Sequence, residues 1–486
     1  MQQNSLKKNF ILSSLYQILL MITPFITAPY VSRVLEPDGV GIYSFTFSNQ
    51  TYFAMFAALG TASYGCREIA ILRDNPQKYS KVFWEIEILS MLTTAATLIA
   101  WGIMLLFVES YRLYYMILTL NIVAVALDIS WFYMGLEQFQ HIVYRNSLFK
   151  ILSVISIFVF VRQKNDLPVY FTIMVLSTLI GNASMWTSLP HFLTKVNIKK
   201  ICIKHHFKET LIYFIPTIAT SIYTVLDKTL IGAITHSEIE NGFYEQATKI
   251  VNMAKAVTFT SLNAILGSRI SYLYAEKKYA EIRSRIEKSI EYIMFIGIGL
   301  CCGIISVAPR FVPVFFGNGY EKVIPILQLL TPVILIIGIS NCLGSHYFTP
   351  AGLRKKSAKY ILIGSFVNLV CNIILIPKLW SYGAVIGTLI AESTITILYF
   401  VNCNGYLTCK ILLKAMWKKI LSGFVMLLFI LLVNTIVKSN FLALILECIL
   451  GSTIYCLVLL LLKDDFFNNF ILDMALKKIK SIGKRK

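Results

Sequence analysis

Charged residues are scarce in this chain, and acidic residues are scarcer than basic ones. Only 14% of the 486 residues are charged, with 25 Asp and Glu against 45 Lys and Arg, while 57% are hydrophobic. A water-soluble domain of this length needs more polar residues to cover its surface. The composition therefore excludes a soluble protein and predicts an integral membrane protein.

Sequence motifs of catalysis and of metal binding are also absent. The chain has no P-loop, no His-Glu-x-x-His element and no Gly-x-Ser-x-Gly element, which are the signatures of nucleotide-hydrolysing motors and of common hydrolases. Its ten cysteines show no paired metal-ligand spacing, and adjacent Cys301 and Cys302 lie in an apolar run. We predict a protein that is not an enzyme and needs no cofactor or metal, with its cysteines reduced and packed.

Apolar runs long enough to cross a bilayer recur along the whole chain. A hydrocarbon core about 30 Å thick needs roughly 20 apolar residues per helix. The first run is too long and too proline-interrupted for a cleaved signal peptide, so we interpret it as the first span. Pro, Gly and charge clusters delimit fourteen predicted spans, at 10–30, 41–63, 87–108, 113–133, 147–161, 169–193, 210–233, 243–266, 290–308, 323–348, 360–376, 382–403, 420–437 and 441–462.

Basic residues are concentrated on one side of these spans. With the N-terminus inside, 34 Lys and Arg lie in or beside the predicted cytoplasmic segments and 8 in the external ones. Basic loops near span ends are retained in the cytoplasm, so the count predicts that both termini are cytoplasmic. The formal net charge of +20 is then explained by cytoplasmic loops that face anionic lipid headgroups, and nucleic acid is not an expected partner.

Two segments about two hundred residues apart resemble each other. In GVGIYSFTFSNQ (39–50) and ENGFYEQATKIV (240–251), Gly41 aligns with Gly242, as do the tyrosines two residues further on. Copies with an even number of spans share one orientation and are related by an axis along the membrane normal. We predict an all-α membrane protein with 14 transmembrane helices, built from two six-helix bundles related by a pseudo-two-fold axis and two additional C-terminal helices. The predicted segments are 1–195 (N-terminal bundle), 209–403 (C-terminal bundle), 420–462 (additional helices) and 463–486 (basic cytoplasmic tail).

An acid and a base stand side by side in the seventh predicted span. A charged side chain at mid-bilayer costs about 2.5–3.5 kcal/mol on insertion scales, so it is expected to be paired or to face water. Asp227 and Lys228 are adjacent, and their side chains diverge by about 100° around a helix. Asp227 can pair with Lys249 of span eight and leave Lys228 on a cleft wall, although a purely structural ion pair is an equal alternative for Asp227.

Other ionisable residues lie inside later predicted spans. Glu245 and Lys249 are four residues apart and can pair on one helix. Lys255 has no obvious local partner, which favours a functional role. Glu392 and Glu447 are expected to be neutral or locally hydrogen-bonded.

A basic residue follows the first predicted span on the external side of the membrane, where few basic residues are predicted. Arg33 follows Pro24 and Pro29, and these prolines are expected to bend the helix near its outer end. Because Arg33 is placed against the positive-inside bias, a substrate role is favoured for it.

Further candidates lie at the ends of other spans. For Arg67 and Arg145, retention of a cytoplasmic loop is the stronger alternative to a substrate role. Asp128 precedes the aromatic residues 131–133, which are expected to form an interfacial belt. The histidine pair 205–206 is expected to be solvated rather than to bind a metal.

The candidate charges suggest the chemistry of a ligand. A site walled by Lys and Arg in a low-dielectric cleft suits an anionic headgroup, for which pyrophosphate is the natural candidate. Tyr and Trp side chains can stack on sugar rings, although interfacial belts are the commoner explanation. The predicted substrate-binding residues are Arg33, Arg67, Asp128, Arg145, Asp227, Lys228, Lys249 and Lys255.

Several segments together resemble those of one membrane-protein family. They are ITAPYVSRVLEPDGVGIYSF (26–45), LGTASYGCREIA (59–70), DISWFYMGLEQF (128–139), VLDKTLIGAI (225–234), GFYEQATKI (242–250) and VNLVCNIILIPKLWSYGAVIGTLIAE (367–392). The chain resembles the O-antigen and capsule repeat-unit flippases of the multidrug/oligosaccharidyl-lipid/polysaccharide exporter superfamily. The resemblance implies an undecaprenyl-pyrophosphate-linked oligosaccharide as substrate, moved to the outer leaflet of a bacterial plasma membrane, with membrane lipids and a polysaccharide polymerase as partners.

Three other functions are alternatives, of which only the flippase for the peptidoglycan lipid precursor is left open by the composition. A drug/cation antiporter of the same superfamily would use an acidic cavity and usually twelve spans, and a flippase for the peptidoglycan lipid precursor would also have fourteen. A membrane-bound glycan polymerase or ligase would need a large external catalytic loop. The longest predicted external connection, 309–322, is too short for such a loop.

The predicted orientation is tested by thiol labelling in intact cells. Single cysteines near Lys199 and Asn318, in a background without the native cysteines, are expected to react from inside and from outside respectively, because basic loops stay in the cytoplasm. The reverse labelling pattern would overturn the charge count.

Overall fold

The described residues of the protein are helical over almost their whole length. The structure is a computed structural model that describes residues 2–197, 201–260, 269–270, 272–436 and 441–468. The chain separates into two compact units, Met1–Gly242 and Phe243–Lys486. The narrower predicted bundles, 1–195 and 209–403, remain predictions.

The prediction of an all-α membrane protein is confirmed. Within the described residues, eleven helical segments are long enough and apolar enough to cross a membrane. The first of these, Leu15–Leu72, contains most of the first predicted span and all of the second. Predicted span seven coincides with a helix outside this set of eleven. Span eight is helical as far as residue 260, and its residues 261–266 lie outside the described residues, so the count of fourteen remains a prediction.

The first unit is built mainly from long helices. Helices α4 and α6 pack on α7, while α3 packs on α1 and α4. The helix α9 begins in the first unit and continues into the second. The bounds are α1 (Gln2–Ala58), α2 (Thr61–Leu72), α3 (Pro76–Phe107), α4 (Arg112–Ala126), α5 (Ser130–Gly135), α6 (Phe139–Phe160), α7 (Leu167–Met185), α8 (Ile203–Thr235) and α9 (Glu238–Lys255).

The interruption in α1 lies at Glu36. This residue has φ 57° and ψ 175°, so α1 consists of two helical segments that meet there. Glu36 precedes Pro37, and the residue before a proline is disfavoured in the helical region. The bend was expected beside Pro24 and Pro29, but these two prolines lie inside the helix and the non-helical residue follows them.

The aromatic residues 131–133 form part of a buried core, so the expectation of an interfacial belt is wrong. Trp131, Phe132 and Tyr133 are at most 2% exposed, and the Trp131 ring stacks on Phe83 of α3 at a centroid distance of 5.5 Å. A Cβ atom on Gly65 of α2 would lie 2.4 Å from the Trp131 ring. The ring is accommodated because α2 carries a glycine at this point.

His206 is buried, whereas the sequence predicts a solvated histidine. Its Nδ1 lies 2.7 Å from the Tyr64 hydroxyl and its Nε2 lies 3.1 Å from a carboxylate oxygen of Glu85. The other Glu85 oxygen accepts a hydrogen bond from the backbone N–H of Cys202. The beginning of α8 is therefore held against α2 and α3 by polar contacts.

The two glycines that align in the sequence repeat both lie at a close backbone contact. A Cβ atom on Gly41 would come within 1.7 Å of the Glu238 carbonyl oxygen, and one on Gly242 within 2.0 Å of the Pro37 carbonyl oxygen. Only glycine allows α1 and the start of α9 to approach so closely.

The second unit contains the remaining helices. Helix α13 packs closely on α14, and α15 lies along both α10 and α16. The bounds are α10 (Tyr279–Phe316), α11 (Val323–Leu330), α12 (Val333–Leu343), α13 (Arg354–Leu379), α14 (Ser381–Val401), α15 (Cys409–Ile436) and α16 (Phe441–Leu461).

A buried ion pair connects α10 with α16. Arg310 forms an ion pair with Glu447, and these side chains are 7% and 0% exposed. Arg310 also donates to the Asn434 carbonyl oxygen of α15 at 2.9 Å. Two predictions are corrected here: Glu447 has a charged partner 137 positions away, and Arg310 lies inside a helix that continues to Phe316 rather than in an external loop.

Removing one partner of this pair is expected to destabilise the second unit. Arg310→Leu leaves a buried carboxylate without its counter-charge, which costs about 3–5 kcal/mol, whereas Arg310→Leu/Glu447→Leu should recover most of that loss. Thermal unfolding of the purified protein in detergent measures the difference.

The matched control is Lys164→Ala. Lys164 pairs with Glu36 and Asp38 at 2.7 and 2.9 Å, but its side chain is 48% exposed, so about 0–1 kcal/mol is expected. A single Arg310→Leu variant as stable as the parent protein would contradict the assignment.

Candidate functional site

Arg33 and Arg67 lie at the protein surface. The Arg33 side chain is exposed and donates to the Pro29 carbonyl oxygen at 3.3 Å. Arg67 is 55% exposed and contacts the Glu68 carboxylate and the Tyr213 hydroxyl, each at 3.3 Å. Both guanidinium groups therefore remain accessible to a ligand.

Arg145 and Asp128 make contacts that stabilise local structure. Arg145 of α6 donates to the Ser184 carbonyl oxygen, to the Thr187 hydroxyl at 2.9 Å and to the Ser188 hydroxyl at 2.6 Å. The Asp128 carboxylate accepts the backbone N–H of Ser130 at 2.9 Å, where α5 begins. Arg145 thus ties α6 to the end of α7, and Asp128 caps a turn.

Asp227 and Lys228, which are adjacent in α8, differ in how deeply they are buried. Asp227 is 6% exposed, while Lys228 is half-buried, and both take part in polar interactions. Asn241 of α9 donates to the Lys228 carbonyl oxygen at 2.7 Å, which fixes the backbone at this position. The pairing of Asp227 with Lys249 remains a prediction.

The two lysines of α9 differ in their partners. Lys249 pairs with Glu245 at 3.4 Å, as the four-residue spacing predicts. Lys255 is half-buried six residues further on, and its electrostatic neighbour is Glu392 of α14. Lys249 is therefore partly neutralised along its own helix, whereas Lys255 interacts with a carboxylate of another helix.

The structure adds two candidate residues in the first unit, Glu87 and Lys150, which the sequence prediction does not single out. Glu87 of α3 is fully buried, and neither of its carboxylate oxygens has a hydrogen-bond partner in the part of the chain that the structure describes. Its electrostatic neighbour is Asp128. The signal in the sequence is an acid at the first position of predicted span three.

Lys150 lies inside predicted span five and lines a small polar cavity. The cavity has a volume of about 210 Å³ and is formed by α1, α6 and α7. Polar side chains in its wall include Tyr16, Asn146, Ser177 and Asn182. Across the described residues, no ion pair or hydrogen bond of the Lys150 ammonium group is found. A lone lysine in an apolar span is the signal by which the sequence marks this residue.

The basic candidates of the first unit have different surroundings. Arg33, Arg67 and Arg145 each contact their own neighbours rather than one another, while Lys150 faces a polar cavity. Within the described residues, no cluster of His, Cys, Asp and Glu has the arrangement of a metal site. The arrangement offers cations to an anionic ligand.

Comparison with known proteins identifies the family. The family model described as "Polysaccharide biosynthesis protein" matches residues 6–267. An Escherichia coli (strain K12) protein named as an O-antigen transporter is 24% identical over 412 residues, which cover 83% of this chain and 99% of that protein.

Two groups of solved structures share the fold. The Lipid II flippase MurJ, in an inward closed conformation, superimposes with a TM-score of 0.74 at 15% identity and covers 95% of this chain and 99% of its own. An inward-facing MATE multidrug transporter of the MOP superfamily gives 0.59 at 15% identity over 79% and 93% of the two chains. At this identity the likeness concerns the fold. The chain therefore belongs to the polysaccharide biosynthesis protein family and has the multi-pass membrane fold of MOP superfamily transporters.

Proposed function

We propose that the protein is a flippase for lipid-linked oligosaccharide repeat units in surface polysaccharide biosynthesis. The observation that carries the proposal is the family match, together with a relative named as an O-antigen transporter that aligns over 99% of its own length. The substrate is an undecaprenyl-pyrophosphate-linked oligosaccharide, which moves from the inner to the outer leaflet of a bacterial plasma membrane before polymerisation. No covalent step is required, so the protein acts as a transporter and not as an enzyme.

The main energetic obstacle to this transport is the passage of the charged pyrophosphate group through the membrane. An ionised group at mid-bilayer is costly, and cationic side chains reduce that cost by replacing water as the partner of the phosphate oxygens. The predicted cationic cavity and an alternating-access cycle belong to this proposal, as do cytoplasmic termini and a polymerase partner. The basic candidates are Arg33, Arg67, Arg145, Lys228, Lys249 and Lys255, and the structure adds Lys150 as a further one.

Deletion of the gene tests the function directly. Loss of the protein is expected to abolish surface polysaccharide and to accumulate the lipid-linked glycan on the inner leaflet. Accumulation of the peptidoglycan lipid precursor instead would favour the alternative flippase function, and increased sensitivity to cationic drugs with normal polysaccharide would favour an antiporter.

Removal of predicted cationic residues is expected to reduce surface polysaccharide without loss of inserted protein. Lys228→Ala, Lys249→Ala and Arg33→Ala each remove one partner of the phosphate oxygens, so we expect at least about a tenfold loss of transport rate. Immunoblots of surface glycan, normalised to membrane-inserted protein, provide the measurement. Normal glycan in all three variants would eliminate the cationic-site model.

The double variant Glu245→Gln/Lys249→Ala separates a structural role of Lys249 from a substrate role. If Lys249 serves only to neutralise Glu245, removing both charges restores transport, because no buried charge is left unpaired. If Lys249 binds pyrophosphate, the double variant is as impaired as Lys249→Ala.

Lys150 is expected to contribute through its charge. Lys150→Gln keeps a polar side chain in the small cavity but removes the cation, so transport should fall, while Lys150→Arg should restore it. The control is Lys414→Gln, since Lys414 is 71% exposed. Equal transport by Lys150→Gln and the control would exclude Lys150 from the cationic route.

A further inference from the structure

A second and larger cavity lies within the first unit, apart from the basic candidates. Its volume is about 720 Å³, within the range of roughly 300–1,000 Å³ that is typical of ligand sites. Its wall comes from residues 45–53 of α1, residues 104–115 around the α3–α4 junction, residues 229–236 at the end of α8, and residues 237–241 of the turn and α9.

The cavity has an open end at two connections. Ser110, Ala233 and His236 belong to its lining and are exposed. The connections 108–111 and 236–237 follow predicted spans three and seven, which both end outside in the predicted topology. The mouth of the cavity is therefore expected on the outer side of the membrane.

The chemistry of the lining distinguishes this cavity from the cationic candidates. The described residues that line it include no Lys or Arg and one carboxylate, Glu238. A phosphate group would lack a cationic partner there, and an acyl chain would leave amide and hydroxyl groups unsatisfied. The lining therefore favours a ligand that is neutral, polar and rich in hydrogen-bonding groups.

Aromatic rings and planar amides form the wall together. The rings of Phe45, Tyr52, Phe53, Tyr111 and Tyr115 line the cavity. Such rings cover the apolar C–H face of a ligand. A pyranose ring has one such face and a perimeter of hydroxyl groups, so this lining matches both of its surfaces.

Several of the polar side chains are held in place before any ligand binds. Asn49 donates from Nδ2 to the Tyr115 hydroxyl at 2.8 Å, and the Tyr111 hydroxyl donates to the Glu238 carboxylate. Burial, reinforced by this carboxylate, raises the pKa of Tyr111 above its ordinary value. Tyr111 therefore stays a neutral hydrogen-bonding group at physiological pH.

Other polar atoms in the same wall lack a partner. Asn241 Oδ1 accepts no hydrogen bond from any residue that the structure describes. The hydroxyls of Tyr52 and Thr229 adjoin each other, but neither makes a hydrogen bond of standard geometry with a described residue. Unsatisfied buried polar atoms cost about 1–3 kcal/mol each, and if these side chains turn toward the cavity, the hydroxyl groups of a ligand can recover part of that cost.

We propose that this cavity binds one neutral sugar residue of the substrate glycan at the outer end of the first unit. The inference rests on the proposed flippase function and assigns the sugar to a place separate from the pyrophosphate. Such a site would hold the glycan after the phosphates have left the cationic residues.

The test measures binding of two lipid-free probes to the purified full-length protein by calorimetry. The first probe is the repeat-unit oligosaccharide released from the host's own surface polysaccharide, and the second is inorganic pyrophosphate. We expect the oligosaccharide to bind the parent protein, and Ala233→Trp, which fills the mouth, to weaken that binding at least about tenfold.

The matched control is Ile239→Trp, since Ile239 is 46% exposed and does not line the cavity. It should bind the oligosaccharide as the parent does. A second variant that keeps the shape, Tyr52→Phe/Thr229→Val, removes two hydroxyl groups and should also weaken binding about tenfold. This variant covers the case in which Ala233→Trp fails to fold.

Three outcomes would overturn the sugar site. They are no oligosaccharide binding to the parent, equal binding by Ala233→Trp and Ile239→Trp, and tetraethylammonium binding that is lost in Glu238→Gln, which would identify an organic-cation site. Pyrophosphate binding that is weakened in Lys228→Ala would support the flippase proposal independently. Failure of the sugar site and failure of the proposed function are thus separated by the two probes.

Discussion

The cost of placing charge in hydrocarbon is the constraint on which the structure of this protein depends. Each ionisable side chain in an apolar helix needs a partner or a polar cavity. Arg310 meets this requirement with Glu447, and Lys419, only 2% exposed, does so with Asp464 at 3.1 Å. The first pair joins α10 to α16, and the second joins α15 to the turn that follows α16. The same interactions that neutralise charge therefore also hold α15 and α16 in the second unit.

Cationic side chains that line a cavity or are exposed carry the functional hypothesis. Lys150 faces a polar cavity, and Arg33 and Arg67 are accessible at the surface. The larger cavity has the opposite character, with aromatic rings and amides and with Glu238 as its one carboxylate among the described lining. In the proposed function, the charged and the neutral parts of one substrate are thus recognised by chemically different surfaces.

A contact was predicted correctly where its two residues are close in sequence, and it was missed where they are far apart. The pair of Glu245 and Lys249 was predictable because residues four apart share one face of a helix. The burial of His206 was not predictable, since it depends on Tyr64 and Glu85 from two other helices. Lys150 was not singled out from the sequence, although it is a lone lysine in an apolar span, and only the cavity beside it gives that lysine a role.

The sequence by itself determined the solvent and the helical class, because hydropathy and helical periodicity are local properties that add along the chain. The family was indicated by the resemblance of several short segments. The tertiary structure decided which side chains are buried and which of them contact one another. Residues 131–133 became core rather than interfacial because Gly65 leaves room for a ring. Contacts of this kind depend on the distance between helices, and no pattern within a single segment encodes that distance.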